Sequence, residues 1–183
     1  FLDRDGVINR AVVRNRKPFP PASLADLEIL PGVGAAIDRL RAYKFEIIVV
    51  TNQPDVATGI QKIEVVEEMN ESLRLSLGID EVFVCYHVGS DRCDCRKPRP
   101  GMLTTAAKKR GIDLKSSFLV GDRWRDIDAG NAVGCYTYFI DYGYHESLST
   151  APDKFVASLD EASADIVNNM NCTLMKSPTN PLK

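Results

Sequence analysis

The sequence predicts an α/β fold, a doubly wound parallel sheet in a single domain with helices on both faces. Two observations carry this. Short apolar runs suited to buried strands alternate with stretches of helical spacing. At four successive run ends stand polar residues: Asp3 and Asp5, Thr51 and Asn52, Arg96 and Lys97, then Asp122. The carboxyl edge of a parallel sheet is where such folds place ligands.

The elements follow in order. Leu2-Asp3 close a first buried strand, which the supplied chain enters part-way, so the natural chain is expected to begin earlier. Residues 9–23, with Pro18, Pro20, Pro21 and four cations but no acid, read as a loop. Pro31-Gly32 opens a helix through Ala36, Ile37, Leu40 and Tyr43, and residues 45–50 form a buried parallel strand ending at Thr51. Residues 61–77 carry Ile63, Val66, Met69, Leu73 and Leu77 at helical spacing, and residues 81–86 are a strand leading into a cysteine loop. A helix over 101–110, a strand at 117–120, a helix over 125–133 and a strand at 136–140 continue the alternation. Ser158 and Glu161 form a capping-box pattern opening a last helix through Ile166. The domain spans 1–172; residues 173–183, with two prolines and no periodicity, are expected to be a loose tail. No connection has length to spare for a large cap domain.

With 23 Lys and Arg against 25 Asp and Glu, the net charge of −2 gives no reason to expect a nucleic-acid or membrane partner. No apolar stretch would span a bilayer and no signal-peptide pattern is present, so a cytoplasmic protein acting on a small metabolite, as a monomer, is expected. Among five cysteines, Cys85, Cys93 and Cys95 crowd together with His87 as C-x-H-x₅-C-x-C. Three thiolates and one imidazole suit a tetrahedral Zn²⁺, and four protein ligands leave no open position, so the zinc is expected to be structural. Arg96 and Lys97 follow the last ligand directly.

The four strand ends converge on one crevice. Asp3 and Asp5 lie too close together to be left without a cation, and a hard divalent ion such as Mg²⁺ fits between them, with Asp122 and Asp126 adding carboxylates. Thr51, Asn52 and Gln53 offer a hydroxyl and amide donors for phosphate oxygens; Arg96 and Lys97 offer charge.

These residues carry a resemblance. Asp3-Arg4-Asp5-Gly6-Val7, Thr51-Asn52, Lys97-Pro98 and the run from Gly121-Asp122 to Asp126 resemble, in order, the four motifs of the haloacid dehalogenase superfamily. D-R-D-G-V-I-N, T-N-Q and C-R-K-P are similar to its branch of histidinol-phosphate and D-glycero-D-manno-heptose-1,7-bisphosphate phosphatases. The resemblance implies a Rossmann-like core and a Mg²⁺-dependent phosphomonoesterase with an aspartyl-phosphate intermediate. Asp3 would be the nucleophile and Asp5 the acid and base, with Asp3, Asp5 and Asp122 holding Mg²⁺ and Asp126 behind them. Thr51, Asn52, Arg96 and Lys97 would bind the phosphate.

The branch divides on substrate. The short spacing between His87 and Cys93 is similar to histidinol-phosphate phosphatases, whereas R-K-P-R-P-G-M-L resembles the heptose enzymes. Cations at Arg10, Arg14, Arg16, Lys17, Arg92, Arg96 and Arg99 favour a substrate with a second anionic group, and hence the sugar bisphosphate. The reading from another class is a zinc-stabilised binding module without catalysis, which would keep the cysteines and lose the acids; here the acids are present.

Overall fold

The computed structural model describes residues 1–175. In chain order the elements are β1 (Val12–Arg14), β2 (Lys17–Phe19), α1 (Val33–Ala42), β3 (Ile48–Asn52), α2 (Ile63–Leu77), β4 (Glu81–Cys85), α3 (Gly101–Arg110), β5 (Phe118–Gly121), α4 (Trp124–Asn131), β6 (Tyr136–Ile140), β7 (Lys154–Val156) and α5 (Leu159–Met175). The opening residues fix the centre of the sheet. Leu2 bridges Val49 on one side and Val120 on the other, both in parallel. Its N–H donates to the Ile48 carbonyl at 2.8 Å, and the Asp3 N–H donates to the Val120 carbonyl at 3.0 Å. Outward from this centre, β3 pairs with β4 on one side, and β5 with β6 and then β7 on the other, all parallel.

Alternation along the strands divides the core into two layers, as a sheet buried on both faces requires. Ile47 and Val49 join Leu2, Ile37, Leu40, Val120, Leu159 and Ile166 beneath α1 and α5. Ile48 and Val50 join Met102, Leu103, Ala106, Leu119 and Ala129 beneath α3 and α4. Burying each large aliphatic side chain contributes about 1.5–3 kcal/mol relative to exposure. Helices α2 and α3 end where Gly78 and Gly111 turn left-handed, at φ 65° and 71°, and return their N–H groups to the Arg74 and Ala107 carbonyls. Helix α5 starts as expected: Ser158 Oγ accepts the Glu161 N–H at 3.2 Å, and the Glu161 carboxylate accepts the Ala157 N–H at 2.7 Å.

The structure corrects four expectations. Residues 9–23 are not simply a loop, because β1 and β2 form an antiparallel hairpin in register Val12 to Phe19 and Arg14 to Lys17. Its turn residues Asn15 and Arg16 have φ of 52° and 56°, as a two-residue hairpin turn demands. Strand β3 begins at Ile48 instead of residue 45, since the Ile47 N–H goes to the Asp80 carboxylate at 2.8 Å. Strand β7 was not expected from the sequence. Finally, α5 runs past residues 166 and 172 to Met175; the rest of the expected tail, 176–183, lies outside the described residues. Among the described residues no helix is long and apolar enough to cross a membrane.

Candidate active site and zinc loop

The chain beyond four parallel strands, the opening one, β3, β4 and β5, delivers functional side chains into one cleft of about 270 Å³. Asp3, Asp5, Thr51, Asn52, Arg96, Lys97, Asp122 and Asp126 all line it, with Lys17 and Phe19 from the hairpin above. The sheet thus brings these residues, expected at the phosphate site, together.

Lys97 is the hub. Its ammonium is 3% exposed and reaches Asp126 Oδ1 at 2.6 Å, Asp3 Oδ1 at 2.9 Å and the Val50 carbonyl at 2.6 Å, three acceptors for three N–H groups. Burial works against its charge, but Asp126 and Asp3 outweigh burial and hold its pKa above the ordinary value. The Asp3 pKa rises as well, here against the charged form: burial, then the nearby Asp126 charge, raise it to about 6 despite Lys97. Asp3 uses Oδ1 for Lys97 and for the Arg4 amide N–H at 2.8 Å.

Asp122 provides the fit test for a divalent ion. It is 1% exposed, and neither carboxylate oxygen makes a close, well-aligned hydrogen bond among the described residues, although the Tyr144 hydroxyl lies near enough to favour its charged form. Burial, then Asp3 and Asp126, push its pKa well above normal. Asp3, Asp122 and Asp126 offer oxygens within 4.8 Å of one another, and Lys97 pairs with only two of them, Asp3 and Asp126. Buried carboxylate oxygens in surplus over cations are what a hard metal requires. Gly6 makes room for this: at φ 89°, it would place a Cβ 1.9 Å from Asp122 Oδ2.

The geometry specifies how the remaining expected residues stand. The Asp5 carboxylate stands apart from the carboxylate cluster and turns onto Arg4 Nη2 at 3.0 Å, Asn9 Nδ2 at 2.9 Å and Gln53 Nε2 at 2.8 Å. Asp126 sits within the cluster, but Lys97 engages its Oδ1 and the Arg123 N–H its Oδ2 at 3.0 Å, which suits a supporting place behind the ligands. The Asn52 amide pairs with the Lys97 backbone in both directions, at 3.0 and 3.1 Å, so it clamps one strand end to the next. Thr51 Oγ1 accepts from Gln53 at 2.9 Å and keeps its own O–H for a ligand.

Sequence reasoning assigned no role of their own to Arg4, Asn9 and Arg125, and it placed the Gln53 amide on the phosphate instead of on Asp5. Arg4 is fully buried and joins Asp5 to Asn70 on α2, through Nη1 at 2.8 Å. Gln53 and Asn9 complete the cage around Asp5. Arg125 lines the cleft beside Arg96. The buried polar residues next to the motif aspartates were the available signal. Among the cations expected to form the rim, Arg10 is taken by Glu28 at 2.7 Å, and Arg99 lies in a neighbouring recess with Arg92, its guanidinium on the Cys93 carbonyl at 2.8 Å. Arg14 and Arg16 do not line the cleft; Lys17 and Arg96 do. Arg123 lines it too, but is neutralised by Glu146.

The four residues expected to bind zinc converge. Cys85 Sγ lies 3.6 Å from His87 Nδ1, 3.7 Å from Cys93 Sγ and 3.2 Å from Cys95 Sγ, and Cys95 Sγ lies 3.5 Å from Cys93 and 3.2 Å from His87 Nδ1. A tetrahedron with metal–sulfur distances of about 2.3 Å has edges of roughly 3.8 Å, so the four atoms need only a small expansion to hold Zn²⁺. The loop is tied to the cleft, because Arg96 Nη1 donates to the His87 carbonyl at 2.9 Å. Cys95→Ser is accordingly expected to lower zinc content, melting temperature and kcat together, since metal binding is coupled to the folding of the loop that carries Arg96 and Lys97. Elemental analysis with a thermal melt and an activity assay checks this; a zinc-free variant that melts and turns over normally would refute it.

Fold and cleft together define a class, the haloacid dehalogenase-like hydrolases. The comparisons agree: a family model described as HAD-hydrolase-like matches residues 94–162. The chain is 37% identical over 152 residues to the D-glycero-alpha-D-manno-heptose-1,7-bisphosphate 7-phosphatase of Photorhabdus laumondii, covering 76% of this chain and 80% of that protein. It is 31% identical over 138 residues to the D-glycero-beta-D-manno-heptose-1,7-bisphosphate 7-phosphatase of Helicobacter pylori, covering 71% and 75%. The crystal structure of a D,D-heptose 1,7-bisphosphate phosphatase from B. bronchiseptica, complexed with magnesium and phosphate, superposes with a TM-score of 0.79 at 27% identity over 92% of this chain and 97% of that one. The chain belongs to the haloacid dehalogenase superfamily. It is a phosphatase, and the relatives named here are heptose-bisphosphate phosphatases.

Proposed function

We propose that the protein is a Mg²⁺-dependent phosphomonoesterase that removes the 7-phosphate of D-glycero-D-manno-heptose 1,7-bisphosphate by way of an aspartyl phosphate on Asp3. One observation carries the reading: Asp3 is fixed through Oδ1 by the buried Lys97 and shares a cluster of buried carboxylates with Asp122 and Asp126. Asp3, Asp122 and the Asp5 carbonyl would hold Mg²⁺, which supplies positive charge between the attacking carboxylate and the phosphate. Asp3 attacks phosphorus in line, the ester P–O bond breaks, and the departing alkoxide takes its proton from Asp5. Asp5 then removes a proton from water, which attacks phosphorus; the bond to Asp3 breaks and inorganic phosphate leaves. Thr51 donates to a phosphoryl oxygen while Lys97 acts through its charge. Zn²⁺ on Cys85, His87, Cys93 and Cys95 is structural. The thiol ligand set suits the reducing cytoplasm, and since one chain supplies the whole cleft lining, a monomer suffices.

The substrate follows from the rim. Lys17, Arg96 and Arg125 line the cleft. Arg125 lies 3.9 Å from Glu146, beyond a close ion pair, and burial followed by the Arg123 charge lowers its pKa, a strain that a second phosphate would relieve. That phosphate orients the sugar for attack. The relatives' names divide between the alpha and beta anomers of the same bisphosphate, so both belong in the assay. The expected result is a kcat/KM for the heptose bisphosphate about 10-fold or more above its 7-monophosphate, from one or more charge-assisted contacts. Arg125→Ala should erode this preference more than Arg14→Ala. Fructose 1,6-bisphosphate and histidinol phosphate, whose cationic group would meet the basic rim, are the comparison substrates. A clear preference for histidinol phosphate would overturn the assignment.

A further inference from the structure

One buried amide joins two residues assigned different tasks in the reaction. Gln53 is 1% exposed, and its Nε2 gives one N–H to Asp5 Oδ2 at 2.8 Å and the other to Thr51 Oγ1 at 2.9 Å. Its backbone N–H donates to the Cys85 carbonyl at 2.7 Å, anchoring it to the end of β4. Its own Oε1 is buried with no partner among the described residues. Turning the amide over would set Oε1 against the Asp5 carboxylate, acceptor against acceptor, so the network fixes its orientation. Asn9 repeats the pattern, donating to Asp5 Oδ1 at 2.9 Å while its Oδ1 stays buried and bare. A bare buried acceptor destabilises a fold. Both amides thus direct their N–H groups, not their oxygens, onto Asp5.

We propose that Gln53 is a positioning residue that locks the Asp5 carboxylate in place relative to Thr51, and thus relative to the phosphate Thr51 holds. Arg4 grips Asp5 from the other side, Nη2 reaching both oxygens at 3.1 and 3.0 Å, and is itself braced on Asn70. Arg4 balances the charge; Gln53 sets the direction, because both of its N–H groups leave one nitrogen at fixed angles. The proposal rests on Asp5 being the proton donor.

Gln53→Met keeps side-chain length, removes both donors and deletes the bare oxygen. The variant is expected to melt at or above the wild-type temperature. Its kcat on a sugar phosphate should fall about 10- to 100-fold, within the range general-acid catalysis supplies. Its kcat on 4-nitrophenyl phosphate, whose leaving group needs little protonation, should fall at least threefold less, roughly, by the same dependence. Equal losses on both substrates, no loss, or a lowered melting temperature with equal losses would overturn the proposal. Asp5→Asn run beside it separates the failures. If Asp5→Asn discriminates between the substrates and Gln53→Met does not, the role of Gln53 alone falls. If Asp5→Asn does not discriminate, the reading of Asp5 falls and that of Gln53 with it.

Discussion

Asp3→Asn is expected to lower kcat by roughly four orders of magnitude or more, the scale on which removing a covalent nucleophile acts. The amide preserves the shape of the side chain but cannot accept a phosphoryl group. Folding should survive, because burial already disfavours the Asp3 charge, with a metal-free pKa raised to about 6. Neutralising that side chain also relieves its repulsion toward Asp122 and Asp126. The variant should therefore melt close to the wild type without Mg²⁺, yet gain less stability when Mg²⁺ is added, since binding to the folded state is what stabilises it. Single-turnover kinetics with thermal melts at several Mg²⁺ concentrations measures both. Turnover near the wild-type rate would eliminate the covalent mechanism.

Lys97→Met is expected to damage stability and activity together. The ammonium satisfies three acceptors inside the protein, two of them carboxylates. Removing one partner of a buried ion pair costs about 3–5 kcal/mol, because the charges left behind are uncompensated. Here Asp3 and Asp126 would lose their common cation, with Asp122 close by. Mg²⁺ should recover part of the stability by supplying positive charge at the same cluster, and none of the alignment of Asp3. Denaturant unfolding with and without Mg²⁺, beside kcat, tests this. A variant as stable as the wild type would mean that Lys97 is not what neutralises the cluster.

The chemistry of the site was legible in the sequence wherever it is local. Asp3 with Asp5, Thr51 with Asn52, Arg96 with Lys97, and Asp122 with Asp126 are each close pairs in sequence in the chain that follows one strand, and a parallel sheet delivers all of them to the same edge. The zinc ligands were legible for the same reason, four soft donors within eleven residues. The alternation of strands and helices followed from buried apolar runs such as that in β3. The hairpin β1–β2 and strand β7 escaped because three-residue strands, mostly exposed or half-buried, carry no periodic apolar signal.

What only the tertiary structure decided is which polar groups meet. In the sequence Arg10, Arg14, Lys17, Arg99 and Arg125 are equivalent cations. In the fold Arg10 finds Glu28 eighteen residues away and Arg123 finds Glu146 twenty-three residues away, while Lys17 and Arg125 line the cleft. Arg4 reads as a charged residue between two catalytic acids, yet it is wholly buried against Asn70, sixty-six residues on. Residue type and spacing determine what chemistry a segment can offer, and so the family and reaction could be read from the chain. The strength of a charge or hydrogen bond depends on its neighbours and on the water excluded around it, and those are set by segments far apart in sequence.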